Sequence, residues 1–197
     1  MLVRIGGWLF KRRTSLPLPI ALALLVLPPD GRSGLAPLFG ATCIALGEAI
    51  RLWGVHHIGA ISRTRSDRLG PLVSSGPFAL VRNPLYLGNI ALWAGFALTA
   101  RLAWMVPIVV ALLGFEYHAI VRWEEALLES RRGDEYRAYA ARVPRWLPKI
   151  TSGNRAHEAA SADGEAGFSW RETFFSERGT LVAIAAGYLL LWLKARF

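Results

Sequence analysis

Five apolar runs punctuate this chain, and between them the residues turn abruptly polar and basic. The first is Leu16 to Pro29, LPLPIALALLVLPP, with Lys11, Arg12 and Arg13 in front of it. A straight helix needs about 20 apolar residues to cross a bilayer, so this run is short for a span. A secretory leader has the same basic start and short apolar core. No small-x-small cleavage pattern follows directly, however, and a second run begins almost at once, so an uncleaved span is expected. The second run covers Leu35 to Ala60, the third Leu85 to Ala100, the fourth Leu102 to Val121 and the fifth Thr180 to Leu193. Only Arg101 separates the third from the fourth, which predicts a tight antiparallel helical hairpin. The pattern therefore predicts an all-α polytopic membrane bundle of about five transmembrane helices.

The polar stretches differ from one another. Ile61 to Pro84 is turn-rich, with RLGPLVSSGP inside it. Arg122 to Ala141, RWEEALLESRRGDEYRAYAA, reads as one or two charged amphipathic helices leaving the fourth span. Its Leu127, Leu128, Tyr136 and Tyr139 are available to a membrane or to a pocket. Thr151 to Gly167, TSGNRAHEAASADGEAG, has the composition of a flexible linker. The expected organisation is a membrane core over 1–150, a linker and amphipathic segment over 151–178, and an additional C-terminal span over 179–197. Inside the second run, Glu48 and Arg51 stand three apart and share one helix face. A structural ion pair turned to the bundle interior and a functional pair fit that spacing equally.

Composition supports the membrane reading: 53% of the 197 residues are hydrophobic, eight are Trp, and the mean hydropathy is +0.33. The net charge of +9 arises from residues lying between apolar runs, which favours a membrane over nucleic acid as partner. The same residues give orientation. With the N-terminus inside, Arg4, Lys11, Arg12 and Arg13, then Arg63, Arg65, Arg68 and Arg82, and the basic residues of 122–178 all fall on the cytoplasmic side. Arg32, Arg101, Lys194 and Arg196 fall on the other. The positive-inside rule thus predicts an integral protein of a bacterial inner membrane with a cytoplasmic N-terminus.

Several chemistries drop out. The single cysteine, Cys43, sits in an apolar run and forms no intrachain disulfide. His56 and His57 are adjacent and point to different helix sides, and His118 and His157 stand alone, so no zinc pattern exists. No phosphate loop, dinucleotide fingerprint or Ser-His-Asp spacing is present. Two polar clusters remain: Arg82-Asn83-Pro84-x-Tyr86 entering the third run, and Glu124-Glu125 leaving the fourth. A hairpin brings both to one membrane surface. Singly, Pro84 is ordinary first-turn chemistry, Tyr86 an aromatic-belt residue, Arg82 a snorkelling anchor and the Glu pair a solvated one. Together they suit a zwitterion: helix-start amides favour a carboxylate, Glu an ammonium, and aromatic faces a sulfonium-type cation.

The order LVSSGPFALVRNPLYLG, an apolar hairpin, then EEALLESRRGDEYRAYAARVPRWLP resembles the isoprenylcysteine carboxyl methyltransferase family, relatives of the phospholipid methyltransferases. Glu125 to Gly133 reproduces the family's eight-residue step, followed by Glu135-Tyr136, Tyr139 and Val143-Pro144. The resemblance spans about Gly59 to Pro148. It implies methyl transfer from S-adenosylmethionine, bound in a cytoplasmic pocket closed by C-terminal helices, to a lipid or small hydrophobic acceptor. By position, Leu72, Val73 and Phe78 line the site, Arg82, Asn83, Pro84, Leu85 and Tyr86 contact the cofactor at the helix start, and Glu124 and Glu125 hold it from the far side. Glu125 or Tyr86 takes a proton from the acceptor where one must leave. The family's usual His is Asn83 here, which cannot titrate. An Arg that the prenylcysteine enzymes carry four residues before the first Glu is Ile120, leaving Arg122 and Arg142 to meet the acceptor. Two alternatives stand beside it: an NADPH-dependent reductase of the sterol-reductase type, whose C-terminal part shares this architecture in a longer chain, and a non-catalytic membrane protein using an inherited pocket.

Overall fold

The computed structural model describes residues 2–30, 34–59, 72–148 and 169–196. Expectations resting on Arg32, Arg63, Arg65, Arg68, His157 and most of the linker lie outside the described residues. Those residues form eight helices and no strand. They are α1 (Leu2–Arg12), α2 (Leu18–Val26), α3 (Ala36–Ile58), α4 (Pro77–Leu80), α5 (Pro84–Thr99), α6 (Met105–Arg132), α7 (Asp134–Arg142) and α8 (Trp170–Lys194). Proline sits in the first two positions of α2, α3, α4 and α5, where its missing N–H has no helical partner to lose.

The apolar runs became α2, α3, α5, α6 and α8, but their lengths differ from the expected five spans. Three, α3, α6 and α8, are long and apolar enough to cross a membrane. The 16 residues of α5 rise about 24 Å. The nine of α2 rise only about 14 Å, too short to cross alone. Pro17 and Pro19 at one end and Pro28 and Pro29 at the other confine that helix. The last helix is longer than its apolar run. It starts at Trp170, where a capping box forms: Glu172 N donates to Ser169 Oγ at 3.3 Å and Ser169 N donates to Glu172 Oε2 at 2.8 Å.

Glycines set the tightest packing. A Cβ added at Gly47 of α3 would lie 2.8 Å from the Gly88 carbonyl of α5, and one at Gly88 would lie 2.7 Å from the Gly47 carbonyl. Gly40 and Gly95 repeat this reciprocal contact two turns away. Two backbones therefore touch directly, as small residues allow between membrane helices. The expected hairpin is present as α5 and α6, reversed at Arg101 with φ +58°. A helix not anticipated, α1, lies against α6: Gly6 meets the Ala119 carbonyl and Phe10 the Trp123 ring, 4.8 Å away.

Polar ties fix both ends. At one, Asp30 N donates to the Arg101 carbonyl at 2.8 Å, and Lys194 Nζ donates to the carbonyls of Leu24 and Leu27 at 2.6 and 2.5 Å. Toward the other, His56 stacks on Trp170 with centroids 4.2 Å apart. The expected Glu48–Arg51 pair exists at 3.5 Å, and Arg51 also reaches α8, donating to Glu177 Oε2 at 2.5 Å and Thr180 Oγ1 at 3.1 Å.

Candidate functional site

The segment entering α5 is shaped before it is functional. Gly76 adopts φ +55°, and a Cβ there would collide with the His57 imidazole. Pro77 then starts α4, Val81 extends the chain, and Pro84 starts α5. This turn is stapled to the chain leaving α7. Arg82 N donates to the Pro144 carbonyl at 2.9 Å, Asn83 Nδ2 to the Arg145 carbonyl at 3.1 Å, and Tyr139 Oη to the Phe78 carbonyl at 2.8 Å. Backbone carbonyls therefore fix the α5 entry against α7 and the segment after it, while the two polar clusters expected at one surface meet through Tyr86 on Glu124 and Arg82 on Glu125.

Glu124 and Tyr86 join directly. The Tyr86 hydroxyl lies 3.1 and 3.0 Å from the two Glu124 oxygens, to which it donates. Its ring stacks on Tyr117, centroids 4.8 Å apart. Tyr117 precedes Glu124 by seven residues, two helical turns, so both face the same way. Arg13, in the turn after α1, acts electrostatically on both Tyr86 and Glu124. No side chain caps the start of α5, so the first-turn amides of Leu85 and Tyr86 are left without an intrahelical partner.

Glu125 is held differently. Arg82 Nη1 approaches one oxygen at 2.8 Å, and Arg145 grips the carboxylate with Nε at 2.9 Å and Nη2 at 2.6 Å. Its bonds to Glu125 push the Arg145 guanidinium pKa up, fixing its charge. Arg82 Nη1 is also 3.4 Å from the Tyr136 hydroxyl, while its buried Nε has no partner among the described residues. Burial raises the pKa of Tyr136 and Tyr139, so both are neutral phenols.

The other expected residues divide. Leu72 packs on Tyr136, Tyr139 and Val143 with Leu128, Val73 is half-buried beside it, and Phe78 is buried. Pro84 is fully buried, and Leu85 packs over Gly54 of α3, so these two support the helix start from behind. Arg122 and Arg142 are not brought to the cluster: both are exposed, and Arg142 Nε donates to the Ala138 carbonyl of its own helix at 3.3 Å. Ile120 lies fully buried in the main core. Sequence reasoning missed Arg145, Tyr117, Arg13, and the Trp146–His118 pair, in which Trp146 Nε1 donates to His118 Nδ1 at 3.3 Å. The seven-residue step back from Glu124 marks Tyr117, and Arg145 directly follows Val143-Pro144. Nothing in the sequence marks Arg13.

Comparison with known proteins follows the same residues. The profile described as phospholipid methyltransferase matches residues 35–134, just over half of the chain. Two curated relatives are resistance proteins. The nickel-cobalt-cadmium resistance protein NccN of Alcaligenes xylosoxydans xylosoxydans is 29% identical over 114 residues, 58% of this chain and 49% of that protein. The cobalt-zinc-cadmium resistance protein CzcN of Cupriavidus metallidurans is 33% identical over 114 residues, 57% of this chain and 49% of that protein. The chain thus spans about half the length of the relatives it matches. No solved structure matches.

Proposed function

This chain belongs to the phospholipid methyltransferase family, and from that premise we propose that it transfers a methyl group from S-adenosylmethionine to an O, N or S nucleophile on a lipid or small hydrophobic acceptor, at the cytoplasmic membrane face. One observation carries the reading. Inside the family match, the uncapped start of α5 stands beside a half-buried carboxylate, Glu124, whose hydrogen bond comes from Tyr86.

The donor set fits the cofactor's amino-acid end. Glu124 accepts from its ammonium, the Leu85 and Tyr86 amides and the unpartnered Arg82 Nε donate to its carboxylate, and the stacked Tyr86 and Tyr117 rings favour a cation. Leu72, Val73 and Phe78 form the apolar wall. When bound, S-adenosylmethionine supplies a methyl group already activated on a sulfonium. The protein's own work is positioning and exclusion of water. The doubly paired Glu125 locks Arg82 and Arg145, and through them the α5 start and the segment after α7, into one unit. Where the acceptor is an amine or hydroxyl, its proton must leave. Glu125 is committed to two guanidiniums, which leaves Tyr86: its hydroxyl takes that proton while passing its own to the Glu124 carboxylate, to which it already donates.

Calorimetric titration of the detergent-solubilised protein with S-adenosylhomocysteine tests this. Binding that is lost in Glu124→Ala and weakened in Tyr86→Phe supports it. Binding of NADPH alone overturns it in favour of the reductase class, and binding of neither favours a non-catalytic protein. Lipid extracts from cells with and without the chain, compared by mass spectrometry for a gain of one methylene, identify the acceptor. The names of NccN and CzcN suggest transition-metal tolerance as the physiological setting, and growth of a deletion strain on cobalt or cadmium tests that.

A further inference from the structure

The polar contacts between α3 and α8 stop partway along the helices. His56 meets Trp170 and Thr173, and Arg51 meets Glu177 and Thr180. Beyond this point Leu181, Ile184 and Tyr188 face Ile44 and Leu52 across a cleft of about 360 Å³. That volume falls in the range of small-molecule sites, about 300–1,000 Å³. Its wall is almost wholly apolar, and its one charged side chain is Glu48, near the middle of the 23-residue α3.

Glu48 is only 7% exposed, yet neither carboxylate oxygen accepts a hydrogen bond. Arg51 forms an ion pair with Glu48 but supplies no such bond. Its Nη1 donates to Asn89 and its Nη2 to Glu177 and Thr180, leaving Nε 3.5 Å from Glu48 and unbonded. A buried carboxylate with two idle acceptors is strongly disfavoured where no water reaches, and it is stabilised by any group bringing N–H donors and positive charge. An ammonium brings three donors and that charge.

We propose that the α3–α8 cleft binds a single-chain lipophilic amine, with its protonated head on Glu48 and its chain along Ile44, Ile184 and Tyr188. The carboxylate argues for this class over a phospholipid headgroup, whose phosphate would set a second negative charge beside Glu48. The cleft is built with α8, outside residues 35–134 matched by the family profile. It is independent of the methyl-transfer reading, since its test reads binding with no cofactor present.

The full-length protein in detergent is photolabelled with a diazirine-bearing dodecylamine, and labelled peptides are mapped by mass spectrometry. Label confined to α3 and α8, displaced by dodecylamine but not by dodecanol, is the expected result. In Glu48→Gln, which keeps the shape and removes the charge, displacement needs at least about tenfold more amine, the loss expected for a hydrogen bond to a charged group. Ile184→Trp fills the cleft with Glu48 intact and abolishes the label, its fold being checked by gel filtration. Label spread evenly over the lipid-facing helices, equal displacement by dodecanol, or unchanged labelling in either variant overturns the proposal. The wild-type competition decides the question even where a variant does not fold.

Discussion

Glu124 and Glu125 are neighbours with opposite surroundings: one meets a hydroxyl, the other two guanidiniums. Their variants should therefore fail differently. Glu125→Ala strands Arg82 and Arg145 in a largely buried position and is expected to cost about 3 kcal/mol, the lower end for breaking a buried pair. Thermal unfolding in detergent measures it. Tyr86→Phe should cost only about 1 kcal/mol of stability, the lower end for an acceptor left without its donor, while weakening S-adenosylhomocysteine binding about tenfold, as the donor orienting Glu124 is gone. The phenols of α7 carry a pH signature. Burial raises the pKa of Tyr136 and Tyr139 above their unfolded values near 10. That contribution is complete below pH 10 and is lost as pH rises toward the folded values. Stability should thus decline above about pH 10, less steeply in Tyr139→Phe, as followed by unfolding and tyrosine absorbance. Sequence spacing found Tyr86, Glu124 and Glu125 because the hairpin forces them together. It did not mark Arg145, because side-chain direction past the end of α7 depends on carbonyl contacts that no pattern records.

At the scale of elements, the helices followed the apolar runs, but their edges and partners came from other residues. The capping box at Ser169 and Glu172 adds ten residues to the last helix ahead of Thr180. The contact of α3 with α5 rests on glycines seven apart, Gly40 with Gly47 and Gly88 with Gly95. That spacing was legible in the sequence, yet which helix faces which was not. Gly88→Ala would place a methyl 2.7 Å from the Gly47 carbonyl and 2.6 Å from Arg51 Cγ. It should destabilise by about 2 kcal/mol as the backbones part, seen as a lower unfolding temperature.

For the whole molecule, orientation is the testable expectation. In a Cys43→Ala background, Ala103→Cys sits exposed at the α5–α6 turn and Ser130→Cys sits exposed near the end of α6. With the basic segments cytoplasmic, an impermeant maleimide applied to intact cells should label the first and spare the second, and the reverse result refutes the orientation. The sequence by itself determined that the chain is a helical membrane protein, where its apolar runs lie, and which motif pair forms the candidate site. These follow from hydropathy and from a hairpin too short to separate its ends. Only the tertiary structure decided that α2 is too short to cross alone, that Arg13 after α1 acts electrostatically on Glu124, that Arg145 closes on Glu125, and that Arg51 ties in α8 while the Glu48 oxygens are left without a hydrogen-bond donor. Those outcomes depend on contacts between residues far apart in the chain, set by close packing and by which buried polar atoms find partners, and local sequence encodes neither.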